Sequence, residues 1–371
     1  MHLLRVQVPD FRGLKNIDIT FEKDFSPSIF PLGSQNGGGK STLLQLIFVL
    51  LHCSVDDDKK PFLQNLLEGF KISDGKDKRV LAIIYIWDGK KNVKLEFYCC
   101  KASSILDFIG EDIESEDIIS ICYYSHDKKN NNQDQNTKLL CYFKNQKKDE
   151  IKLFLNKLSR KVFLAAPSTQ VFLFLPPDSR KLLFSNSSKG DKNYHGILES
   201  ARAKLQGLFT YDFLAVELLI KSFKDARDRD FREAIKTGSY GNSYQTLVND
   251  LNLMLSNKKI NLNEDFSGVN FKLYNNGETI ELYPEDLSHG ELKRLSIYIW
   301  LKSRNIKDAI VLMDEVEIAF HPDWQYQIIS DLKEWAPSNQ YILATHSYAL
   351  CEALTPAHVK EIEPKLIQQE S

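Results

Sequence analysis

The sequence predicts an α/β fold: a mixed sheet with an antiparallel β subdomain and an inserted, mostly helical subdomain. Three observations carry this expectation. The first hundred residues run in short alternating apolar segments broken by turn residues. A glycine-rich turn at 33–39 stands between a short apolar strand and a long apolar helix pattern. Near the C-terminal end, Ile310 to Met313 and Tyr341 to Ala344 are wholly apolar runs of the buried, parallel-strand type.

In chain order, Leu3 to Val8 and Ile17 to Phe21 alternate like two strands joined through Phe11-Arg12-Gly13-Leu14. Ser28 to Leu32 is a short strand, and Ser41 to His52 reads as a mostly apolar helix. Val80 to Trp87 and Asn92 to Cys99 flank Asp88-Gly89-Lys90-Lys91 as a β-hairpin. The stretch 128–137 is too polar to bury anything and reads as a surface loop. Lys161 to Ala166 is another strand, and Gly196 to about Asn257 is helical in character, with Leu205, Leu208, Leu214, Leu218 and Leu219 at helical spacing. Phe271 to Leu273 and Thr279 to Leu282 flank a turn at Asn275-Asn276-Gly277, and Glu291 to Ser303 is an amphipathic helix. These elements divide the chain into an N-terminal lobe over 1–100, an inserted β/helical subdomain over 101–280 and a C-terminal lobe over 281–371.

Composition bounds the rest. The chain has 371 residues, 43% of them hydrophobic, enough to bury a large core without disulfides or a structural metal. Its net charge of −2 gives no global pull toward nucleic acid or membrane. The six cysteines include no C-x-x-C pair, which fits reduced thiols in a cytosolic protein. The N-terminus lacks the pattern of a signal peptide, and the longest apolar run, Leu43 to Leu51, is far short of the ~20 residues of a membrane helix. A cytoplasmic protein without a membrane span is expected.

Four segments carry chemistry. In Gly33-Ser34-Gln35-Asn36-Gly37-Gly38-Gly39-Lys40-Ser41-Thr42, a strand feeds a glycine turn that opens a helix. Glycines let backbone N–H groups approach phosphate oxygens, and the helix N-terminus adds partial positive charge. Lys40 can reach the β- and γ-phosphates, the Ser41 hydroxyl can ligand Mg²⁺, and Thr42 can donate to a phosphate. The strict spacing of such loops puts a glycine at 34, where this chain has Ser34. The second segment, Ile310-Val311-Leu312-Met313-Asp314-Glu315, is a buried strand ending in two carboxylates, suited to a Mg²⁺ role for Asp314 and a general-base role for Glu315. The third, Leu287-Ser288-His289-Gly290-Glu291, offers an anion site at a helix N-terminus. A plain helix cap, Ser288 with Glu291, explains the same residues. The fourth, Ile342-Leu343-Ala344-Thr345-His346-Ser347, ends a strand in a histidine that could sense a γ-phosphate.

Phosphate loop, L-S-x-G-E signature, Asp-Glu strand and strand-end histidine, in that order, resemble the ABC-type ATPases. Phe11-Arg12-Gly13-Leu14-Lys15-Asn16 resembles the opening of the RecF, SMC and OLD-like branch. Asp314-Glu315-Val316-Glu317-Ile318-Ala319-Phe320-His321-Pro322-Asp323-Trp324-Gln325 is similar to the D-E-P-E-x-x-L-H-P-x-W-Q run of OLD-like ATPases, including prokaryotic anti-phage defence ATPases, with Val316 for proline and Phe320 for leucine. His289 stands where many signatures carry glycine. The resemblance covers roughly 1–100 and 280–350.

It implies an ABC-type ATPase head that binds ATP and Mg²⁺ between two head-to-tail copies. Asn36, Gly37, Gly38, Gly39, Lys40, Ser41 and Thr42 would hold the nucleotide in one copy, and Ser288 and Gly290 of the other would reach its γ-phosphate. Gln170, after the 161–166 strand, is the candidate for the family's Mg²⁺-reaching glutamine. Arg12 would touch the phosphates, or is a plain surface turn residue. His321 takes the family's place at the subunit contact.

A transporter cassette is disfavoured by the long interval from Lys40 to Ser288, and an SMC-like clamp by the lack of a heptad repeat. About 25 residues follow His346, too few for the TOPRIM nuclease of OLD proteins, so a nuclease effector is expected as a separate subunit. An ATP-locked scaffold or sensor with little hydrolysis, and a DNA-repair or SMC-like ATPase, stay open. So does DNA contact: Lys147, Lys148, Lys152, Lys157 and Arg160 could track phosphates or be a solvated helix face.

Overall fold

Alternation in the opening residues produces an antiparallel sheet. In a computed structural model, which describes residues 1–34, 37–72, 76–101, 117–125, 136–143, 148–184, 194–211, 216–255, 257–275 and 278–362, six strands pair in the order β2-β1-β4-β5-β7-β6. They are β1 (His2–Phe11), β2 (Leu14–Thr20), β4 (Lys78–Trp87), β5 (Asn92–Lys101), β6 (Ile118–Ser125) and β7 (Asn136–Tyr142). A register shift between Leu3 and Arg5 in the β1–β4 pairing brings Leu3, Val6 and Val8 to the same buried face despite their uneven spacing.

A second sheet runs β15-β3-β14-β13-β8-β9, formed by β3 (Ile29–Gly33), β8 (Val162–Ala166), β9 (Leu208–Thr210), β13 (Ile310–Asp314), β14 (Gln340–Ala344) and β15 (Lys360–Glu361). The β3, β14, β13 and β8 strands are parallel, in registers such as Leu312↔Ile342 and Leu312↔Leu164. Every residue of β13 and β14 is buried, as strands covered on both faces require. Helix α1 (Lys40–Cys53) is buried from Leu43 to Cys53 and joins both sheets in one continuous apolar core. The Gln340 side chain ties the sheets together, accepting from Leu3 N–H at 2.7 Å and donating to the Leu3 carbonyl at 2.9 Å. The parallel arrangement sets the C-terminal ends of β3, β14, β13 and β8 side by side, where open α/β sheets bind ligands.

The chain forms two compact units, one of Met1–Phe209, Lys307–Glu317 and Pro337–Ser371, the other of Thr210–Ile306 and Ile318–Ala336. Both sheets just described belong to the first, apart from Thr210 at the end of β9. The second holds the helices Val216–Thr237, Ser243–Leu253, His289–Ser303 and Pro322–Trp335, with a three-stranded sheet of β10 (Lys258–Leu262), β11 (Val269–Asn275) and β12 (Glu278–Leu282). Arg294 grips Asp331 through two hydrogen bonds of 2.6 and 2.8 Å, and Asp230 accepts from the N–H groups of Ser243 and Tyr244 at the start of their helix.

These boundaries fall elsewhere than the division at 100 and 280. The β6 and β7 strands extend the antiparallel sheet through pairs such as Cys99↔Leu139, and β8 enters the parallel sheet. The span 196–257 is interrupted by β9: Leu205, expected within a helix, lies in the turn after Tyr194–Lys204, and Leu208 begins the strand. Gly207 makes this possible, since a Cβ there would lie 2.6 Å from the Val162 carbonyl oxygen. The turn at 276–277 and residues 128–135 of the polar stretch lie outside the described residues. All six cysteines are free. Among the described residues, no helix is long and apolar enough to cross a membrane.

Candidate functional site

The phosphate-loop segment leaves β3 at Gly33 and enters α1 at Lys40. Gly37 and Gly39 take φ values of 82° and 86°, in the left-handed region that glycine adopts freely. At Gly39 space also forbids a side chain, because a Cβ would approach Leu14 Cδ2 to 2.5 Å. Gln35 and Asn36 lie outside the described residues. Lys40 is only 7% exposed, and its Nζ donates to the Ser34 carbonyl at 3.2 Å and the Ser34 hydroxyl at 2.9 Å. The departure at 34 thus supplies a hydroxyl acceptor for the lysine. Burial lowers the Lys40 pKa, against the attraction of Asp314, Glu317 and Glu315.

Beside this loop, Asp314 ends β13 with 2% of its surface exposed. Its Oδ1 accepts from the Ser41 hydroxyl at 3.0 Å and its Oδ2 from Gln170 Nε2 at 2.6 Å. Burial pushes the Asp314 carboxyl up to about 6; Glu315 and Glu317 push the same way, while the Gln170 and Ser41 hydrogen bonds oppose. Three segments far apart in sequence therefore bring a hydroxyl, a carboxylate and a carboxamide together. These are hard oxygen donors around a buried carboxylate flanked by two more acids, which fits a small divalent cation. Among the described residues no group of three or more His, Cys, Asp and Glu side chains is arranged to hold a metal, so a cation here would draw on Ser41 and Gln170 as well as Asp314.

His346 follows β14, its Nδ1 3.5 Å from Lys40 Nζ. Glu315, next to Asp314, has φ 52° and donates its backbone N–H to the Ala344 carbonyl at 2.9 Å. Arg12, also left-handed at φ 45°, donates to the carbonyls of Leu66, at 3.2 and 3.0 Å, and of Glu68, at 2.9 Å, at the end of helix α2 (Lys60–Leu67).

The signature residues lie in the second unit. Ser288 caps the His289–Ser303 helix in a full capping box: its hydroxyl accepts from Glu291 N–H at 3.3 Å, and Glu291 Oε2 accepts from Ser288 N–H at 3.0 Å. Glu291 Oε1 meets Lys258 Nζ at 2.7 Å. Gly290 has no room for a side chain, since a Cβ would lie 2.8 Å from the Ala319 carbonyl oxygen and 3.0 Å from Trp324 Cζ3. Lys293, 5% exposed, donates to the Ile318 carbonyl at 3.1 Å and lies over the Tyr211 ring at 4.2 Å. His321 caps the Pro322–Trp335 helix through Nδ1, accepting from Asp323 N–H at 3.4 Å.

Two positioning groups escaped the sequence reading. Gln45, buried in α1, donates to the Val171 carbonyl at 3.5 Å and accepts from Leu173 N–H at 2.6 Å, while Tyr194 O–H donates to the Gln170 carbonyl at 2.7 Å. Together they hold the segment that carries Gln170. A lone glutamine in the run Leu43-Leu44-Gln45-Leu46-Ile47 was the available signal, because a buried amide needs partners.

A glycine loop at a helix N-terminus, a buried acidic strand end, a glutamine on that acid and a strand-end histidine beside the lysine define the nucleotide-binding head of an ABC-type ATPase of the RecF, SMC and OLD-like branch. The chain belongs to the family described as "AAA domain, putative AbiEii toxin, Type IV TA system", whose pattern matches residues 142–352, more than half of its length. That span holds Gln170, the signature and the acidic strand, and begins after the phosphate loop.

The chain is 32% identical over 110 residues to the DNA replication and repair protein RecF of Saccharophagus degradans, covering 28% of this chain and 29% of that one. It is 39% identical over 54 residues to the Retron Vc95 probable ATPase of Vibrio cholerae, covering 15% of this chain and 10% of that one. It thus spans under a third of the length of the curated relatives it matches. Among solved structures it is similar to an Smc head bound to the C-winged helix domain of ScpA, with TM-score 0.45, 11% identity and coverage of 95% and 92%. The SMC head domain of Thermotoga maritima gives TM-score 0.43, 10% identity and coverage of 95% and 92%. Likenesses at that level say nothing of what this chain binds.

Proposed function

We propose that this chain binds ATP with Mg²⁺ and hydrolyses it as a head-to-tail homodimer whose closure is coupled to DNA or to an effector protein, such as a nuclease, in anti-phage defence. The observation that carries the reading is the convergence of Ser41 and Gln170 on Asp314, beside Lys40 and His346. Buried cation, buried acid and left-handed glycines form one cluster, which suits a triphosphate and a divalent cation better than any role in packing.

Backbone N–H groups over 36–39, the Lys40 ammonium and Thr42 hold the phosphates. Ser41, Asp314 and Gln170 would hold magnesium, which would supply charge neutralisation at the phosphates. Glu315 takes a proton from the water that attacks the γ-phosphorus, and His346 hydrogen-bonds the γ-phosphate. Ser288 and Gly290 act on the nucleotide of the other copy. Arg12 lends its charge near the phosphates while capping α2. Coupling to DNA or an effector rests on family analogy, and for DNA on the exposed Lys152, Lys157 and Arg160.

The test is the solution mass of Glu315→Gln with ATP and Mg²⁺, together with phosphate release by the wild type. A dimer that forms with ATP and is lost in Ser288→Arg supports the reading, as does turnover that Glu315→Gln lowers by about 10²-fold or more. Absence of any ATP affinity, with its natural companions present, overturns it. Charge reversal at Lys152 and Lys157 should weaken DNA binding and flatten its salt dependence; if neither changes, the DNA arm falls.

A further inference from the structure

The turn after β13 carries a third acid, Glu317, to which the proposed mechanism assigns no step. It is 8% exposed. Its Oε1 accepts the backbone N–H of His346 at 2.8 Å, while its Oε2 is buried without a hydrogen-bond partner. Leaving one oxygen of a buried carboxylate unsatisfied is costly, and such groups persist where the other oxygen has a task.

That task is visible in the backbone. Glu315 N–H donates to the Ala344 carbonyl at 2.9 Å, and His346 N–H donates back to Glu317 at 2.8 Å. The two bonds run in opposite directions and close a ring between the acidic turn and the end of β14. Inside this ring Glu315 keeps φ 52°, a conformation that a non-glycine residue holds only when its surroundings over-determine it. Just outside it, the His346 ring stands 3.5 Å from Lys40 Nζ.

We propose that Glu317 is a positioning residue: its carboxylate locks the His346 amide to the turn bearing Glu315, so that base and histidine meet the γ-phosphate as one rigid unit. This rests on the ATPase reading above and adds a residue to it. In this role Glu317 acts through the His346 amide, so its loss should act on turnover and spare the grip of the phosphate loop. Glutamine at 317 keeps an acceptor oxygen and should keep the lock.

The experiment compares full-length wild type, Glu317→Ala and Glu317→Gln for affinity to a fluorescent ATP analogue with Mg²⁺ and for kcat of phosphate release. For Glu317→Ala, kcat should fall about 10- to 100-fold, the usual effect of removing an outer orienting group, with affinity held within about threefold. Glu317→Gln should retain kcat within about fivefold. Unchanged turnover in Glu317→Ala overturns the proposal, as does Glu317→Gln losing as much as Glu317→Ala. If the alanine variant does not fold, the glutamine variant decides alone. If the wild type binds ATP without turning it over, the readout is ATP-induced hydrogen-exchange protection of the peptide spanning 344–347. That protection should be kept in wild type and Glu317→Gln and lost in Glu317→Ala; equal protection in all three overturns the proposal. A wild type that binds no ATP refutes the ATPase reading itself, a different outcome.

Discussion

Replacing Asp314 by asparagine should make the metal-free protein more stable at neutral pH. The Asp314 carboxyl sits near 6 in the fold against an ordinary value of 3.8. Each pKa unit corresponds to about 1.4 kcal/mol, so holding the ionised form inside the fold costs roughly 3 kcal/mol. The sign follows from which state loses its proton first. Below 3.8 both folded and unfolded chains are protonated and the residue has no effect. Between 3.8 and about 6 the unfolded chain ionises first, so stability falls as pH rises; above about 6 the whole cost stands. Asparagine removes that cost but puts an amide N–H₂ where one of the two acceptors for Ser41 and Gln170 had been, a loss of about 1 kcal/mol or somewhat more. The net gain is therefore about 1–2 kcal/mol near pH 7.5 and roughly half the ionisation cost remains to be relieved near pH 5. Urea denaturation in excess chelator, at both pH values, for wild type and Asp314→Asn, measures it. Excess Mg²⁺ should reverse the order, stabilising wild type alone. A variant less stable than wild type near neutral pH without metal, or a difference independent of pH, refutes the reasoning.

Three further outcomes are expected. His52, 3% exposed and stacked on Phe48 at 4.9 Å, has its pKa lowered by burial to about 4 from 6.5. Its neutral form therefore supports the fold fully above about 6.5, and up to ~3 kcal/mol is lost as pH falls toward 4; His52→Phe should remove that part of the acid sensitivity in a denaturation series. Gly39→Ala, which needs φ 86° and meets Leu14, should lower ATP affinity at least about tenfold by deforming the loop. Titration with an ATP analogue reads it, and unchanged affinity would show that the loop tolerates the side chain. Lys293→Met keeps the stem against Tyr211 but leaves the Ile318 carbonyl without its ammonium donor. It should cost about 1–3 kcal/mol in a denaturation measurement on the whole chain.

The parts of the fold written locally were legible. Alternation located β1, β2 and the β4–β5 hairpin, and unbroken apolar runs located β13 and β14. Pairings between distant segments were not, because alternation says which face is buried and not which strand lies alongside. Hence the joining of β7 to β5, and the short β9 within a helical pattern, came only from the structure. At the site, Lys40, Ser41, Asp314 and His346 could be read because motif order and strand ends constrain them. Gln170, inferred from resemblance alone, lies on Asp314. Glu317 was passed over: the run Asp314-Glu315-Val316-Glu317 shows an acid, but only the structure shows that it accepts from the backbone at the end of the neighbouring strand. For Ser288 the helix-cap reading is realised in full, its hydroxyl also donating to Glu291 Oε2 at 2.8 Å.

The place of β14 between β3 and β13 has a consequence for how the two sides of the site are aligned. The strand that ends at Gly33 has no pairing with the acidic strand, and the strand that joins them lies some three hundred residues later in the sequence. Without β14 the lysine and the acid would stand on strands with an open slot between them. Any shift of β14 along either neighbour would therefore move the two halves of the site against each other.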